Sequence, residues 1–204
     1  GQFTPSFDVP DFNESSRFIA IDKEDHIWVS QPYHGVYKIS KKNDGNYTTS
    51  IYTEKNGLPS ILNNHVYKIK NEVIVATEKG IFTYNIYKDR FEPSPFYQKI
   101  LGTQSIRYLK EDKEGNIWFI HEKTLGVIDF SGNKTSLIYL PELNNKMLSG
   151  FEFIYPVNEN NIFLGGEKGF FHINYQKYKT TSTKLQVQVR MVTITNKTDS
   201  ILFG

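Results

Sequence analysis

The stretch Asp112-Lys113-Glu114-Gly115-Asn116-Ile117-Trp118-Phe119-Ile120 decides the fold, because it joins a polar turn directly to an apolar, aromatic run. Glycine and asparagine accept the positive φ that a tight turn requires, so this stretch predicts a hairpin turn that leads into a β-strand. The same element recurs elsewhere in the chain. Its other copies begin at Asp22, Lys70 and Val157, and the last two are more divergent.

The spacing of these copies indicates a repeat of about 45 residues. The first apolar residues of the four strands are separated by 46, 44 and 45 residues, and they are Ile27, Val73, Ile117 and Ile162. A second marker is a glycine just ahead of an apolar strand, at separations of 45, 46 and 43 residues, in the set Gly35, Gly80, Gly126 and Gly169. Two markers that share one period are the sequence signature of repeat architecture.

Each repeat predicts four short strands, and four strands in about 45 residues are typical of one β-propeller blade. The predicted fold is therefore all-β: four four-stranded propeller blades that form an arc of a larger ring, plus the first strand of a following β-domain. A β-sandwich of short strands is the alternative, but a sandwich does not require a repeated turn and glycine at a fixed period. No long helix is predicted, because the apolar spacing is close to 2 throughout.

The repeats divide the chain into six segments. Residues 1–16 are an N-terminal extension or the outer strand of a preceding blade, and residues 17–60, 61–105 and 106–150 are one blade each. Residues 151–184 are a partial blade that ends in a polar linker from Tyr175 onward. Residues 185–204 begin another β-domain, because Leu185–Met191 alternates strictly between apolar and polar residues.

Two further expectations follow from this organisation. The terminal blades of an arc expose apolar faces, so the chain is expected to self-associate through them. The sequence begins at Gly1 rather than at a methionine and stops within what reads as the start of a new strand region, so we expect a piece of a longer protein.

Composition excludes several functional classes. The chain has 204 residues with 24 Lys and Arg against 22 Asp and Glu, a net charge of +2, and no dense basic stripe, so no nucleic-acid binding is predicted. The absence of cysteine rules out disulfides and thiolate metal sites. No apolar run approaches the roughly 18 residues of a membrane helix, so membrane attachment is expected only through flanking regions. No cofactor is predicted.

Several motifs resemble the two-component regulator propeller repeat. They are Asn56-Gly57-Leu58-Pro59-Ser60, the strand pair from Val73 to Asn85 around Thr77-Glu78-Lys79-Gly80, and Asp112 to Trp118. The second repeat lacks the aspartate and tryptophan of the family pattern, and the matches together span residues 17 to about 175. The tail, Val187–Ile194 with Asp199–Gly204, is similar to the opening of the triple-tyrosine domain that follows these propellers.

The resemblance implies a sensor rather than an enzyme. It implies the periplasmic part of a membrane-anchored bacterial regulator that detects carbohydrate fragments and has a hybrid histidine kinase or DNA-binding output. Two alternatives remain open: a scaffold propeller that binds protein through one face, and a propeller enzyme that acts on a polysaccharide or lactone substrate.

A long turn in the first repeat is the candidate binding site. Gln31-Pro32-Tyr33-His34 separates the second and third strands, whereas the equivalent turns at Glu78-Lys79 and Glu167-Lys168 are short. Loops on a rigid scaffold commonly carry binding residues, and this turn is expected to share a face with the connection into the next blade. The candidate ligand-binding residues for a small glycan are Gln31, Tyr33, His34, Lys55 and Asn56. The alternative is that Tyr33 and His34 pack between blades.

Catalytic and metal sites are not predicted. Asp22 and Asp112 could be taken for the carboxylate pair of a glycosidase, but they recur with the blade, and an aspartate that caps a turn explains them. The five histidines show no metal-ligand spacing, and they are His26, His34, His65, His121 and His172.

Overall fold

The computed structural model describes residues 9–181 and the backbone of two further strands, β16 (Val192–Ile194) and β17 (Ser200–Phe203), which pair antiparallel. The predicted strand Leu185–Met191 and the rest of the triple-tyrosine-like segment lie outside the described residues. Residues 9–16 form no strand, so within its described part the N-terminal segment is an extension rather than a blade strand.

Three antiparallel sheets of four strands follow one another, and in each sheet the strands pair in sequence order. The first blade contains β1 (Phe18–Ile21), β2 (Ile27–Gln31), β3 (Gly35–Lys41) and β4 (Tyr47–Tyr52). The second contains β5 (His65–Ile69), β6 (Glu72–Thr77), β7 (Gly80–Asn85) and β8 (Arg90–Pro93). The third contains β9 (Ile106–Glu111), β10 (Ile117–His121), β11 (Thr124–Asp129) and β12 (Ser136–Tyr139). The propeller-blade prediction is confirmed.

Two short helices were not anticipated from the sequence. Helix α1 (Pro95–Leu101) connects the second and third blades, and Tyr97 and Leu101, four residues apart on one face, are buried in the core between them. The fourth blade has three strands, β13 (Ile154–Asn158), β14 (Asn161–Gly166) and β15 (Gly169–Ile173).

Helix α2 (Tyr175–Thr181) follows where the sequence predicted a linker. That expectation is wrong for residues 175–181. Tyr175 and Tyr178 lie three residues apart and pack together on the core of the last two blades, which gives this polar segment one apolar face.

Adjacent blades stack face to face, and successive residues of a central strand face opposite neighbours. In β10, Ile117 and Phe119 pack against the second blade, whereas Trp118 and Ile120 pack against the fourth. In β2, Trp28 packs on the second blade in the same way. A sheet covered on both sides needs no polar face, which explains the continuous apolar runs of these strands.

The glycine marker of the repeat is correct at Gly35 but not at Gly126. Gly35 pairs with Gln31 at the start of β3 with a φ of 88°, and a Cβ there would collide with the carbonyl oxygen of Tyr52. Gly126 is different, because it lies inside β11 opposite Phe119, whose ring covers it. The residue equivalent to Gly35 in the third blade is Thr124, so the marker at Gly126 is a coincidence of spacing.

The innermost strands of all four blades, β1, β5, β9 and β13, line a common channel. At its mouth the Arg17 guanidinium lies 5.2 Å from the ring centre of Phe151, so the first and fourth blades approach each other there. Within residues 9–181, however, no buried apolar cluster joins these two blades. The four blades surround this channel, and the first and fourth blades each keep one face that no other described blade packs against.

Candidate ligand site at the channel mouth

The predicted binding turn is a braced structure. His34 Nδ1 lies 3.0 Å from Glu14 Oε1, and Gln31 Nε2 donates to Glu14 Oε2 at 3.4 Å. The Tyr33 backbone N–H donates to Gln31 Oε1 at 2.5 Å. Glu14, which lies before the first blade, was missed by the sequence analysis because nothing in its local pattern links it to a turn seventeen residues away.

The structure separates the roles of the three predicted turn residues. Tyr33 is 66% exposed and His34 is also exposed, so neither is packed between blades. Gln31 is buried, and both ends of its amide group are used to hold the turn. Tyr33 is consequently the side chain of this turn that is free to meet a ligand.

Lys55 and Asn56 lie in a short 3-10 helix, Glu54–Asn56, at the same edge of the first blade. Asn56 Oδ1 accepts a hydrogen bond from the Thr53 backbone N–H at 3.3 Å, so this amide caps the helix. The backbone of Ile61 links this 3-10 helix to the binding turn through two hydrogen bonds. The Gly35 N–H donates to the Ile61 carbonyl at 2.9 Å, and the Ile61 N–H donates to Glu54 at 3.2 Å.

A cavity of about 170 Å³ opens at the channel mouth beside the turn, and Pro32 of the turn forms part of its wall. All four blades or the segments leading into them contribute to its lining. Its polar residues are two arginines, two glutamates, two asparagines, two serines and a histidine, namely Arg17, Arg107, Glu78, Glu152, Asn63, Asn64, Ser30, Ser105 and His65. Sequence analysis missed this set because its members come from different repeats and share no linear motif.

The charged groups of the cavity are held in place. The Arg17 guanidinium lies 5.2 Å from the ring centres of both Phe18 and Phe151. Arg107 Nη1 lies 3.9 Å from Glu152 Oε1, which pairs one positive charge with one negative charge. Glu78 Oε1 accepts a hydrogen bond from an asparagine amide, Asn63 Nδ2, at 2.6 Å.

Of two polar side chains at the inner wall of the cavity, Asn64 is buried and His65 is partly buried. Desolvation, assisted by the positive charge of Arg17, lowers the pKa of His65 to about 4, so its imidazole is neutral at physiological pH. Asn64 is only 1% exposed, and its Nδ2 donates to the Ser60 carbonyl at 2.9 Å. Its Oδ1 has no hydrogen-bond partner, and a buried acceptor left unsatisfied is uncommon in a folded protein.

The repeated aspartates are turn caps. Asp112 Oδ1 accepts from the backbone N–H groups of Glu114 and Asn116, and Oδ2 accepts from the indole of Trp118 at 2.9 Å. Asp22 makes the equivalent bond to Trp28 at 2.7 Å. The aspartate and the tryptophan belong together, because the buried indole N–H needs an acceptor. The predicted turn-capping role of both aspartates is confirmed by these hydrogen bonds.

Asp22, Glu24 and His26 have potential metal-ligand atoms within 4.8 Å of one another. The oxygens of Asp22 already accept bonds from both other residues of this trio and from Trp28. Burial raises the pKa of Asp22, but the hydrogen bonds from Trp28 and His26 outweigh it and leave the pKa below its ordinary value. The trio is thus explained by the turn and gives no reason to invoke a metal.

Comparison with known proteins identifies solved relatives of the fold. No family model matches the chain, and no curated protein matches it. One similar structure from B. thetaiotaomicron is described as the extracellular domain of the hybrid two-component system BT3049. It is 20% identical, with a TM-score of 0.59, and the match covers 89% of this chain and 24% of that one.

A second, from the same organism, is described as the extracellular domain of the system BT4673. It is 21% identical, with a TM-score of 0.56, and the match covers 79% of this chain and 22% of that one. The chain therefore corresponds to about a quarter of the length of these structures. The likeness shows a shared propeller fold, and neither protein is described as an enzyme.

Within residues 9–181, neither α-helix could span a membrane. Both α-helices have seven residues, far fewer than a transmembrane segment needs.

Proposed function

We propose that this chain is a ligand-sensing β-propeller segment from the extracytoplasmic, periplasmic region of a bacterial signal-transduction regulator, and that its ligand is a carbohydrate fragment. The regulator would carry a hybrid two-component or DNA-binding output outside this chain. The observation that carries the proposal is the braced turn with its exposed Tyr33, which stands beside the channel-mouth cavity.

The chemistry of this face fits binding rather than bond cleavage. An exposed tyrosine ring offers an apolar surface on which a sugar ring can stack and a hydroxyl that can form a hydrogen bond. The cavity next to it supplies both donors and acceptors in a protected site, as ligand pockets commonly do. Support also comes from the propeller-repeat resemblance and from the fold shared with extracellular domains of two-component systems.

Calorimetric titration with a panel of plant and microbial oligosaccharides tests the proposal. We expect one class to bind and the Tyr33→Ala variant to bind it about tenfold more weakly, equivalent to about 1.4 kcal/mol. Tyr87→Ala is the matched control, because Tyr87 is 97% exposed in the β7–β8 turn at the opposite edge of its blade. Equal weakening by both variants, or no binding of any glycan, would contradict the proposal.

We also propose that a second copy of the chain covers the free face of the fourth blade. This face carries an aromatic patch formed by Phe153, Tyr155, Phe163 and Phe170, in which Tyr155 is 56% exposed. In the first and third blades, the residues equivalent to Phe163 are the tryptophans that the next blade buries. The outer face of the first blade is packed by Val9 and Phe12, so among the described residues only the fourth blade keeps an uncovered face, and a twofold pairing of fourth blades would bury it.

Sedimentation equilibrium measures this association directly. The wild-type chain should form a dimer, and the double variant Phe153→Ser with Tyr155→Ser should be a monomer. Tyr87→Ser, which removes an exposed aromatic side chain elsewhere, should leave the dimer intact. A wild-type chain that stays monomeric at high concentration would refute the pairing.

A further inference from the structure

The channel-mouth cavity carries charged groups of both signs and a buried amide group. We infer that this cavity is the specificity pocket for the ligand and that it accepts one neutral sugar residue in preference to an acidic or amino sugar. The inference rests on the proposed function and goes beyond it by assigning the pocket and the ligand class. Its key residues are Asn64, Arg17, Arg107, Glu78 and Glu152.

Asn64 sets the first requirement. Its Oδ1 is a buried acceptor without a partner, and its own Nδ2 is already committed to the Ser60 carbonyl. A buried acceptor left unsatisfied is unfavourable, so a ligand that donates a hydrogen bond here gains affinity. Asn64 therefore requires a donor such as a sugar hydroxyl at this point of the ligand.

The arginines and glutamates set the second requirement. Arg17 and Arg107 can only donate, so they need acceptors on the ligand. Glu78 and Glu152 are acceptors that would repel a ligand carboxylate, and the two arginines would repel an ammonium group. A neutral hydroxyl donates and accepts at once, so a polyhydroxylated ligand satisfies all four side chains without carrying charge.

His65 does not disturb this balance. Its imidazole lies beside the ring of Phe18, with ring centres 5.1 Å apart, and stays neutral above about pH 4 because burial lowers its pKa. With the histidine uncharged, two positive and two negative side chains line the cavity. Their charges offset one another, which favours a neutral ligand over either kind of ion.

The size and apolar wall of the cavity limit the ligand to one ring. A volume of about 170 Å³ holds several water molecules and hence a group the size of a single sugar residue. Phe18 and Ile106 add apolar wall against which the C–H face of a sugar can lie. The rest of a longer glycan would then run from the channel mouth toward Tyr33.

Ligand-observed NMR with defined monosaccharides provides the test. The probes are methyl glucoside, methyl galactoside and methyl arabinoside as neutral sugars, glucuronate and galacturonate as acids, and glucosamine and galactosamine as amines. We expect a neutral probe to bind at least tenfold more tightly than its charged counterpart. Asn64→Leu and Arg107→Gln should each weaken that binding at least tenfold, and Tyr87→Ala should leave it unchanged.

The outcomes separate this inference from the proposed function. Tighter binding of an acidic or amino probe would overturn the neutral-sugar assignment. Neutral binding that resists Asn64→Leu and Arg107→Gln but is lost in Tyr33→Ala would move the site to the turn, so that the inference fails and the proposed function stands. If no monosaccharide or oligosaccharide binds, both fail. Arg107 is half-exposed at the rim, so its variant remains informative if Asn64→Leu does not fold.

Discussion

The first and fourth blades differ in how the outer faces of their sheets are covered. On the first blade, Val9 and Phe12 from the N-terminal segment pack on the buried cluster that contains Tyr37, with the Phe12 and Tyr37 ring centres 5.2 Å apart. On the fourth blade, no described segment covers the face, and Phe153 and Tyr155 stack on each other in the open. The outer face of the first blade is therefore covered by a segment of the chain, whereas that of the fourth blade is exposed among the described residues.

The difference shows that a residue's role in a repeat is set by the neighbouring blade and not by the repeat itself. Trp118 and Phe163 occupy the same place in successive blades, one residue after the first apolar residue of the central strand. Trp118 is fully buried against the fourth blade, whereas Phe163 is half-buried and belongs to none of the core clusters of residues 9–181. Each of the following experiments tests some part of this contrast.

Truncation at this shared position should give the largest effect. We expect Trp118→Ala to lower the free energy of unfolding by about 3–5 kcal/mol, because it leaves a cavity between two blades. Phe163→Ala on the open face should cost under about 1 kcal/mol in the monomer. Urea unfolding at low protein concentration measures both, and equal losses would show that the fourth-blade face is covered.

Acidification should have the second largest effect on stability, because it protonates His65 at the channel mouth. The pKa of His65 is about 4 in the folded state and about 6.5 when unfolded, so below pH 6.5 the unfolded state binds the extra proton. Stability is then complete above pH 6.5 and falls as the pH drops toward 4, by up to about 3 kcal/mol. Urea midpoints between pH 7.5 and 4.5 should show this decline, and the decline should shrink in His65→Gln. An unchanged pH dependence in that variant would contradict the burial of His65.

Removing the side chains that cap the repeated turns should lower stability by a smaller amount, and by more in the third blade than in the fourth. Asp112→Ala leaves the buried indole N–H of Trp118 without its acceptor, and we expect a loss of about 1–3 kcal/mol. In the fourth blade, Asn158 caps the equivalent turn by accepting from the Asn160 N–H and has no indole to satisfy. Asn158→Ala should therefore cost less than Asp112→Ala. Thermal unfolding of the two variants side by side compares them, and the reverse order would refute the pairing of aspartate with tryptophan.

Truncating Phe12, which covers part of the outer face of the first blade, should have the smallest effect. Phe12→Ala takes away one partly buried ring from the face around Tyr37 and should lower stability by about 1 kcal/mol. Hydrogen exchange should then rise in β2 and β3 and stay unchanged in β14 and β15. Faster exchange in all four blades would mean that the N-terminal segment supports the whole arc.

The sequence was informative where a signal is local or periodic. The period of Ile27, Val73, Ile117 and Ile162 fixed the number and order of the blades, since each unit carries the same turn and strand. It was misleading at Gly126 and at residues 175–181. A glycine can serve either a turn or a crowded strand, and a seven-residue helix with one buried and one partly buried tyrosine has too little pattern to be recognised.

For the candidate site, the sequence indicated the long turn because its length departs from the other blades. It could not indicate Glu14, which braces that turn, or the ring of side chains at the channel mouth, because these residues meet only when the blades are arranged about one axis.

The amino-acid sequence alone determined that one sheet-forming unit is repeated, because backbone turns and strand alternation depend on neighbouring residues. Only the tertiary structure decided which repeated positions are buried and which polar groups face one another. Those properties depend on contacts between residues that lie tens of positions apart. The placement of the buried Asn64 acceptor in one cavity with the arginines Arg17 and Arg107 is of this second kind, and the inference about the ligand depends on it.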